Sequence, residues 1–276
     1  MLHITALMDN KATEHKGLIA EHGLSLYVRY NDRRILFDCG AGPNPLSNAH
    51  RLGVDLKQLD AVILSHSHYD HAAGFRNLTE NHMGSATLYT GPHFFEPKYA
   101  KNGIRYTDLS AGFDQSFLEE YGIGHRVVDG FAEIFPGVYL IGDFPRIYPF
   151  EQIPQRFVRR TAQGFVADDF SDEICVAFRI EGGLAVLVGC SHPGILNMMT
   201  NVSNRLNLPI KAVFGGTHLV EADEHRIQDT ILHLQDMGLS VLGLSHCSGD
   251  AAECAISSVP QLQGCHLGVG DCIFFE

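Results

Sequence analysis

Four apolar stretches of this 276-residue chain each run straight into a histidine, and that pattern constrains the fold more than any other. Val62-Ile63-Leu64-Ser65 leads to His66, Val186-Leu187-Val188-Gly189-Cys190-Ser191 to His192, Val213-Phe214-Gly215-Gly216-Thr217 to His218, and Val241-Leu242-Gly243-Leu244-Ser245 to His246. Short apolar runs of this kind are expected of strands covered on both faces, and the ends of such strands are where α/β proteins place binding groups. If the strands share sheets with their ends on one edge, the four imidazoles converge. The first run expands to His66-Ser67-His68-Tyr69-Asp70-His71, with four metal-donor side chains in six residues. Neutral imidazoles and a carboxylate suit Zn, and also Fe or Mn. Asp70 and His71 are neighbours that serve a single ion poorly on a tight turn. They suit a second ion, and paired ions about 3.5–4 Å apart clamp the attacking and leaving oxygens of a displacement.

The rest of the chain supplies a mixed α/β frame. Leu24, Leu26, Val28 and Tyr30 alternate as a half-buried strand, and Asn31-Asp32 turns it into a hairpin partner over Arg33-Arg34-Ile35-Leu36-Phe37-Asp38. Strands are expected over 61–64, 137–142, 174–178, 184–188, 212–214 and 241–244, and a helix over 194–207. A further helix is capped by Asp223, carries Ile227, Ile231 and Leu234 on one face, and ends at Gly238. Residues 91–130 show no clear period. Residues 143–173, with Pro145, Pro149 and Pro154, read as a loop-rich insertion, long enough for a lid or for the arm of a homodimer. No linker or repeat divides the chain, so residues 1–276 are read as one domain.

Composition narrows the function. Lys and Arg number 20 against 32 Asp and Glu, a net charge of −12, which repels nucleic-acid phosphates and anionic membranes. No stretch approaches the roughly 20 apolar residues of a membrane span. Met1-Leu2-His3-Ile4-Thr5 lacks the basic and apolar regions of a signal peptide. The seven cysteines are scattered without a CxxC pair, which argues against a disulfide framework and for a reducing cytoplasm. The expected partner is a small-molecule substrate, not nucleic acid or membrane.

His66-Ser67-His68-Tyr69-Asp70-His71 after an apolar strand, preceded by Phe37-Asp38-Cys39-Gly40, resembles the signature of the metallo-β-lactamase superfamily. Further segments resemble the subgroup that includes dihydropterin-phosphate (methanopterin-pathway) synthases and metal-dependent hydrolases. They are Glu21-His22-Gly23-Leu24-Ser25, Gly142-Asp143-Phe144-Pro145-Arg146, Gly189-Cys190-Ser191-His192-Pro193-Gly194, Gly215-Gly216-Thr217-His218-Leu219 and His246-Cys247-Ser248-Gly249. The resemblance implies a four-layer αββα sandwich, two mixed β-sheets flanked by helices. It implies that His66, His68 and His192 hold one ion and that Asp70, His71 and His246 hold the second, with Asp38 supporting the site from behind. The superfamily's separate Gly-His-Thr-type motif is missing between 72 and 185, and Cys190 stands about where its bridging acid would be. Cys190 is therefore open between metal ligand and buried thiol, and His218 between ligand and substrate contact. Glu21, His22 and Arg146 are candidates for substrate binding.

The function these readings imply is hydrolysis by a hydroxide bridging two divalent ions, most simply zinc, on a small ester, lactone or phosphate-bearing substrate, with Asp70 orienting that hydroxide. One alternative is a transferase of the dihydropterin-phosphate synthase type that expels pyrophosphate, with Arg146 and Arg156 or Arg159 binding the diphosphate. Another is a metal-binding sensor without efficient catalysis. A di-iron flavin relative would need a flavodoxin-like domain for which 276 residues leave no room, and the net charge disfavours a nuclease.

Overall fold

The computed structural model describes residues 1–13, 17–81, 84 and 86–275. Asn31 adopts a left-handed backbone (φ 54°), which asparagine tolerates well, and it closes the hairpin between Ser25–Tyr30 and Arg33–Phe37. This hairpin is the middle of a seven-stranded sheet. On one side lie Leu2–Met8 and Cys272–Phe275, both antiparallel. On the other, Ala61–Ile63, Thr87–Thr90 and His125–Val127 follow in parallel. A second seven-stranded sheet runs Gln263–His266, Val241–Leu244, Ile210–Gly215, Gly183–Val188, Cys175–Ile180, Val138–Ile141, Phe131–Phe135. Its first four strands are parallel and the rest antiparallel.

The apolar side chains sort by face, as the two-residue period of a strand requires. Ile4, Val28, Ile35, Phe37 and Ile63 of the first sheet meet Leu140, Val176, Phe178, Leu187 and Phe214 of the second in one inter-sheet core. Leu36, Val62, Leu64 and Leu88 face outward and are covered by Ala49, Phe75, Leu78 and Phe117, residues of three helices, Asn44–Leu52, Gly74–Glu80 and Gln115–Glu120. Leu184, Val186 and Val188 face the other way, under the helices Ile195–Leu206, Glu224–Asp236 and Asp250–Ser257. The architecture is the expected four-layer αββα sandwich. Each fully buried aromatic or branched side chain contributes about 1.5–3 kcal/mol, so the two outer helical layers are held mainly by these faces.

The expected helix ends hold. Asp223 accepts from Arg226 N at 2.8 Å to cap Glu224–Asp236, and Gly238 N donates to Gln235 O at 2.8 Å to close it. Three regions differ from the sequence reading. Leu2–Met8 is a strand that gave no alternating signal, because both its faces are buried. Residues 91–130 contain strands at Lys98–Asn102 and Arg105–Asp108. The 143–173 segment is not loop throughout, since Phe157–Thr161 and Gly164–Ala167 form a hairpin that pairs with Lys98–Asn102. Together these four strands make a third, small sheet. Among the described residues no helix is long and apolar enough to cross a membrane.

Candidate metal centre

Every one of the four histidine-terminated strands ends on the same edge of the sandwich. The turns at this edge are tight: Asp38, after Arg33–Phe37, and Ser191, His218 and His246 all have φ between 50° and 59°. Left-handed backbone is uncommon for residues other than glycine, and clusters of it mark sites where geometry is held against local preference. Close approach is equally demanding. A Cβ at Gly189 would lie 2.1 Å from Ser65 Oγ, so only glycine lets the second sheet's strand end abut the first.

His66, His68 and His192 form the sealed half. Their rings lie 4.7–5.0 Å apart, centre to centre, and one nitrogen of each falls within 4.8 Å of the others. His66 Nε2, His68 Nε2 and both ring nitrogens of His192 are buried with no hydrogen-bond partner in the protein. Buried polar atoms normally find partners, so three converging, unpartnered imidazoles fit a cation. Burial pulls the pKa of all three well below 6.5, leaving them in the neutral, ligating form.

The supports of this half are polar and buried. Asp172 Oδ2 accepts from Ser67 N at 2.9 Å, between the two histidines, while its Oδ1 is 2.5 Å from Lys98 Nζ. Lys98 is 2% exposed, pairs also with Asp168 at 3.2 Å, and stands 4.3 Å over the Phe170 ring. Phe170 in turn stacks on His192 at 3.8 Å. Glu173 accepts from Ser191 N and His192 N at 2.6 and 2.9 Å. Phe157 of the third sheet closes over His68 and His192 at 5.4 and 5.2 Å.

The second half is built around Asp70. Asp70 Oδ2 lies 3.0 Å from His22 Nε2 and 3.2 Å from His246 Nε2, and these three form a candidate cluster of their own. Burial would raise the Asp70 carboxyl; the His22 and His246 rings beside it and the charge of His71 outweigh it and hold Asp70 well below the ordinary carboxylate range. Asn10 orients His246: its Oδ1 faces His246 Nδ1 at 2.9 Å and its Nδ2 donates to His246 O at 3.1 Å. An amide oxygen only accepts, so Nδ1 carries the proton and Nε2 is left toward Asp70. Asp9 Oδ1 accepts from His246 N at 2.6 Å.

His71 falls between the halves. Its Nδ1 lies 2.7 Å from Asp38 Oδ2 and its Nε2 3.1 Å from Cys190 Sγ. Burial lowers its pKa, but the charge and hydrogen bond of Asp38 overcome this and raise it to about 9. Asp38 also accepts from Ser65 N at 2.7 Å and Ser65 Oγ at 2.8 Å. It thus touches the chain just before His66 and the ring of His71 at once, the carboxylate–histidine pairing common behind metal ligands.

Comparison with known proteins agrees with this geometry. The sequence model of the metallo-β-lactamase superfamily matches residues 19–137. Over 267 residues the chain is 29% identical to the 7,8-dihydropterin-6-methyl-4-(beta-D-ribofuranosyl)-aminobenzene-5'-phosphate synthase of Methanocaldococcus jannaschii, covering 91% of this chain and 89% of that protein. The crystal structure of a metal-dependent hydrolase of the β-lactamase superfamily superposes with a TM-score of 0.85 at 27% identity, over the full length of both chains. The chain has the fold of the metallo-β-lactamase superfamily. An uncharacterised protein of the same archaeon is 28% identical over 265 residues, 96% of this chain and 98% of that one. Superfamily members usually bind divalent metals, and the donor clusters described above are the residues that could hold them here.

The other residues singled out from the sequence separate. His218 packs its ring 4.5 Å from His192, and burial lowers its pKa to about 4, yet it joins no donor cluster among the described residues. Glu21 is tied to the helix Asn44–Leu52, accepting from Asn44 Nδ2 at 2.6 Å. The arginines proposed for a diphosphate are committed within the protein. Arg146 donates to Asp169 O at 2.6 Å, Arg156 pairs with Glu221, and Arg159 pairs with Glu96 at 2.5 Å. Asp9, Asn10, Lys98, Phe157, Asp172 and Cys247 have site contacts that the sequence reading did not single out. Only Asp9-Asn10, polar residues at the end of an apolar stretch, carried a local signal.

Proposed function

We propose that this protein is a hydrolase of the metallo-β-lactamase superfamily acting on a small ester, lactone or phosphate-bearing substrate with two divalent ions. The observation that carries this is the set of buried, partnerless nitrogens on His66, His68 and His192 beside the Asp70–His246–His22 group. The first trio would hold one ion; Asp70 and His246 would hold the other, with His22 beside them. Bound ions supply Lewis acidity toward a carbonyl or phosphoryl oxygen and acidify water toward a pKa of about 7. The chain's own residues do the rest. Asp70, kept ionised, orients the attacking water. Asp38 fixes His71, and Phe157 and Phe170 exclude bulk solvent from the three-histidine half. The engaged arginines favour a substrate whose charge is met by the ions over one that needs a guanidinium clamp.

The test is turnover of the zinc-loaded protein on phosphoesters, lactones and thioesters, with Asp70→Ala as control. Hydrolysis that is lost in Asp70→Ala supports the proposal; unchanged turnover and metal content in that variant would sink it. The transferase reading rests on the full-length similarity to a synthase. Pyrophosphate released only when both a dihydropterin diphosphate and an arylamine are present would establish it in place of hydrolysis.

A further inference from the structure

The donor atoms at this edge do not divide cleanly into two sets. They form a continuous series of clusters, each within 4.8 Å: His66, His68, His192; then His66, His71, Cys190; then Cys190, His246, Cys247; then His22, Asp70, His246. His66 links the first two, Cys190 the middle two, and His246 the last two. The Cys190 sulfur is therefore at the centre of the whole array. No carboxylate belongs to either of the two clusters that contain it.

Buried cysteines are most often small apolar fillers. Four cysteines of this chain are buried: Cys39, Cys175, Cys190 and Cys247. Cys39 and Cys175 belong to the apolar core clusters, whereas Cys190 and Cys247 belong to none of the three. Instead Cys190 Sγ faces His71 Nε2 at 3.1 Å. It also shares a cluster with His66, whose Nε2 is buried and partnerless. Room for the Cys247 sulfur is kept by Gly216, where a Cβ would approach it to 2.6 Å.

We propose that Cys190 is the ligand joining the two ions, a thiolate where the superfamily pattern expects a carboxylate, and that Cys247 is a second sulfur ligand on the Asp70–His246 side. The inference rests on the two-ion reading above. Each thiol releases its S–H proton to solvent as its sulfur–metal bond forms, and no electron is transferred. Thiolates favour soft ions, so the site is expected to retain Zn or Co over Mn or Mg.

Cobalt tests this without assaying turnover. The protein loaded with Co²⁺ is expected to show sulfur-to-cobalt charge-transfer absorption in the near ultraviolet as the ions bind. Cys190→Ser should remove most of that band and weaken both ions, each at least about tenfold, since even outer partners of ligands cost that much. Cys247→Ser should remove a smaller part. Two bound cobalt ions without the band in the unsubstituted protein would overturn the thiolate assignment and leave the two-ion reading standing. No bound cobalt would overturn both. A band of full strength in both serine variants would place the sulfur elsewhere and reject the inference; should Cys190→Ser fail to fold, the unsubstituted spectrum and Cys247→Ser decide.

Discussion

The two halves of the centre are built by opposite means. His66, His68 and His192 are sealed, carry only nitrogen donors, and leave those nitrogens without partners. His22 and His246 both close on Asp70, and His22, with 59% of its side chain exposed, opens that half to solvent. The sealed half pays desolvation in advance and is held from behind by buried ion pairs and an aromatic stack. The open half is held by polar contacts around Asp70 and by Asp9 and Asn10 at His246. A tightly fixed ion beside a more accessible one is a reasonable division of labour for positioning a substrate next to a reactive group.

The largest effect should come from the sealed half. In His68→Ala the protein is expected to lose about one of two ions per chain and its turnover, as read by elemental analysis and assay. Two ions retained in the variant would mean that the sealed half is not a metal site. Asp38→Ala should strike both halves, because Asp38 touches Ser65 and His71 together. Removing one partner of a buried pair costs about 3–5 kcal/mol, and metal affinity should fall roughly 10–100-fold. Denaturant unfolding and chelator competition measure the two. Loss confined to one ion would break the view that Asp38 braces the whole centre.

Lys98→Met sharpens the contrast. It leaves Asp168 and Asp172 buried without their cation, again about 3–5 kcal/mol of stability, and it frees the Ser67 turn and the Phe170 ring. The first ion should loosen while the second stays. A chelator that strips both ions from this variant at equal rates would show that the two halves are not separately supported.

These supports also mark the limit of what the sequence disclosed. The sandwich and the convergence of His66, His192 and His246 were legible because apolar runs and their terminal histidines are local patterns. Asp70 and His71 were legible as donors, but the sequence could not tell that His71 turns toward Cys190 while His22 closes on Asp70. Loop conformation decides that, through left-handed turns at Asp38, Ser191 and His246. The Lys98–Asp172 pair was invisible because its members are 74 residues apart and each looks locally like a surface charge. The third sheet was missed for a related reason: its strands are largely exposed and mix polar with apolar residues, so no period of burial is written into them.

The smallest effects distinguish how the open half is organised. Asn10, itself exposed, fixes the tautomer of His246 through two hydrogen bonds. His22 reaches Asp70 from solvent, and an exposed contact of that kind is worth about 0–1 kcal/mol. Asn10→Ala is therefore expected to weaken the second ion about tenfold, and His22→Ala only severalfold, with the first ion unaffected in either. Zinc titration against a competing chelator reads both. If His22→Ala proves the more damaging, His22 is a true ligand whose bond to the ion outweighs its exposure, and the open half is assembled from the solvent side. If Asn10→Ala dominates, the turn after the first strand sets that ligand's geometry, and the two halves share one rule: the ligand is placed by what stands behind it.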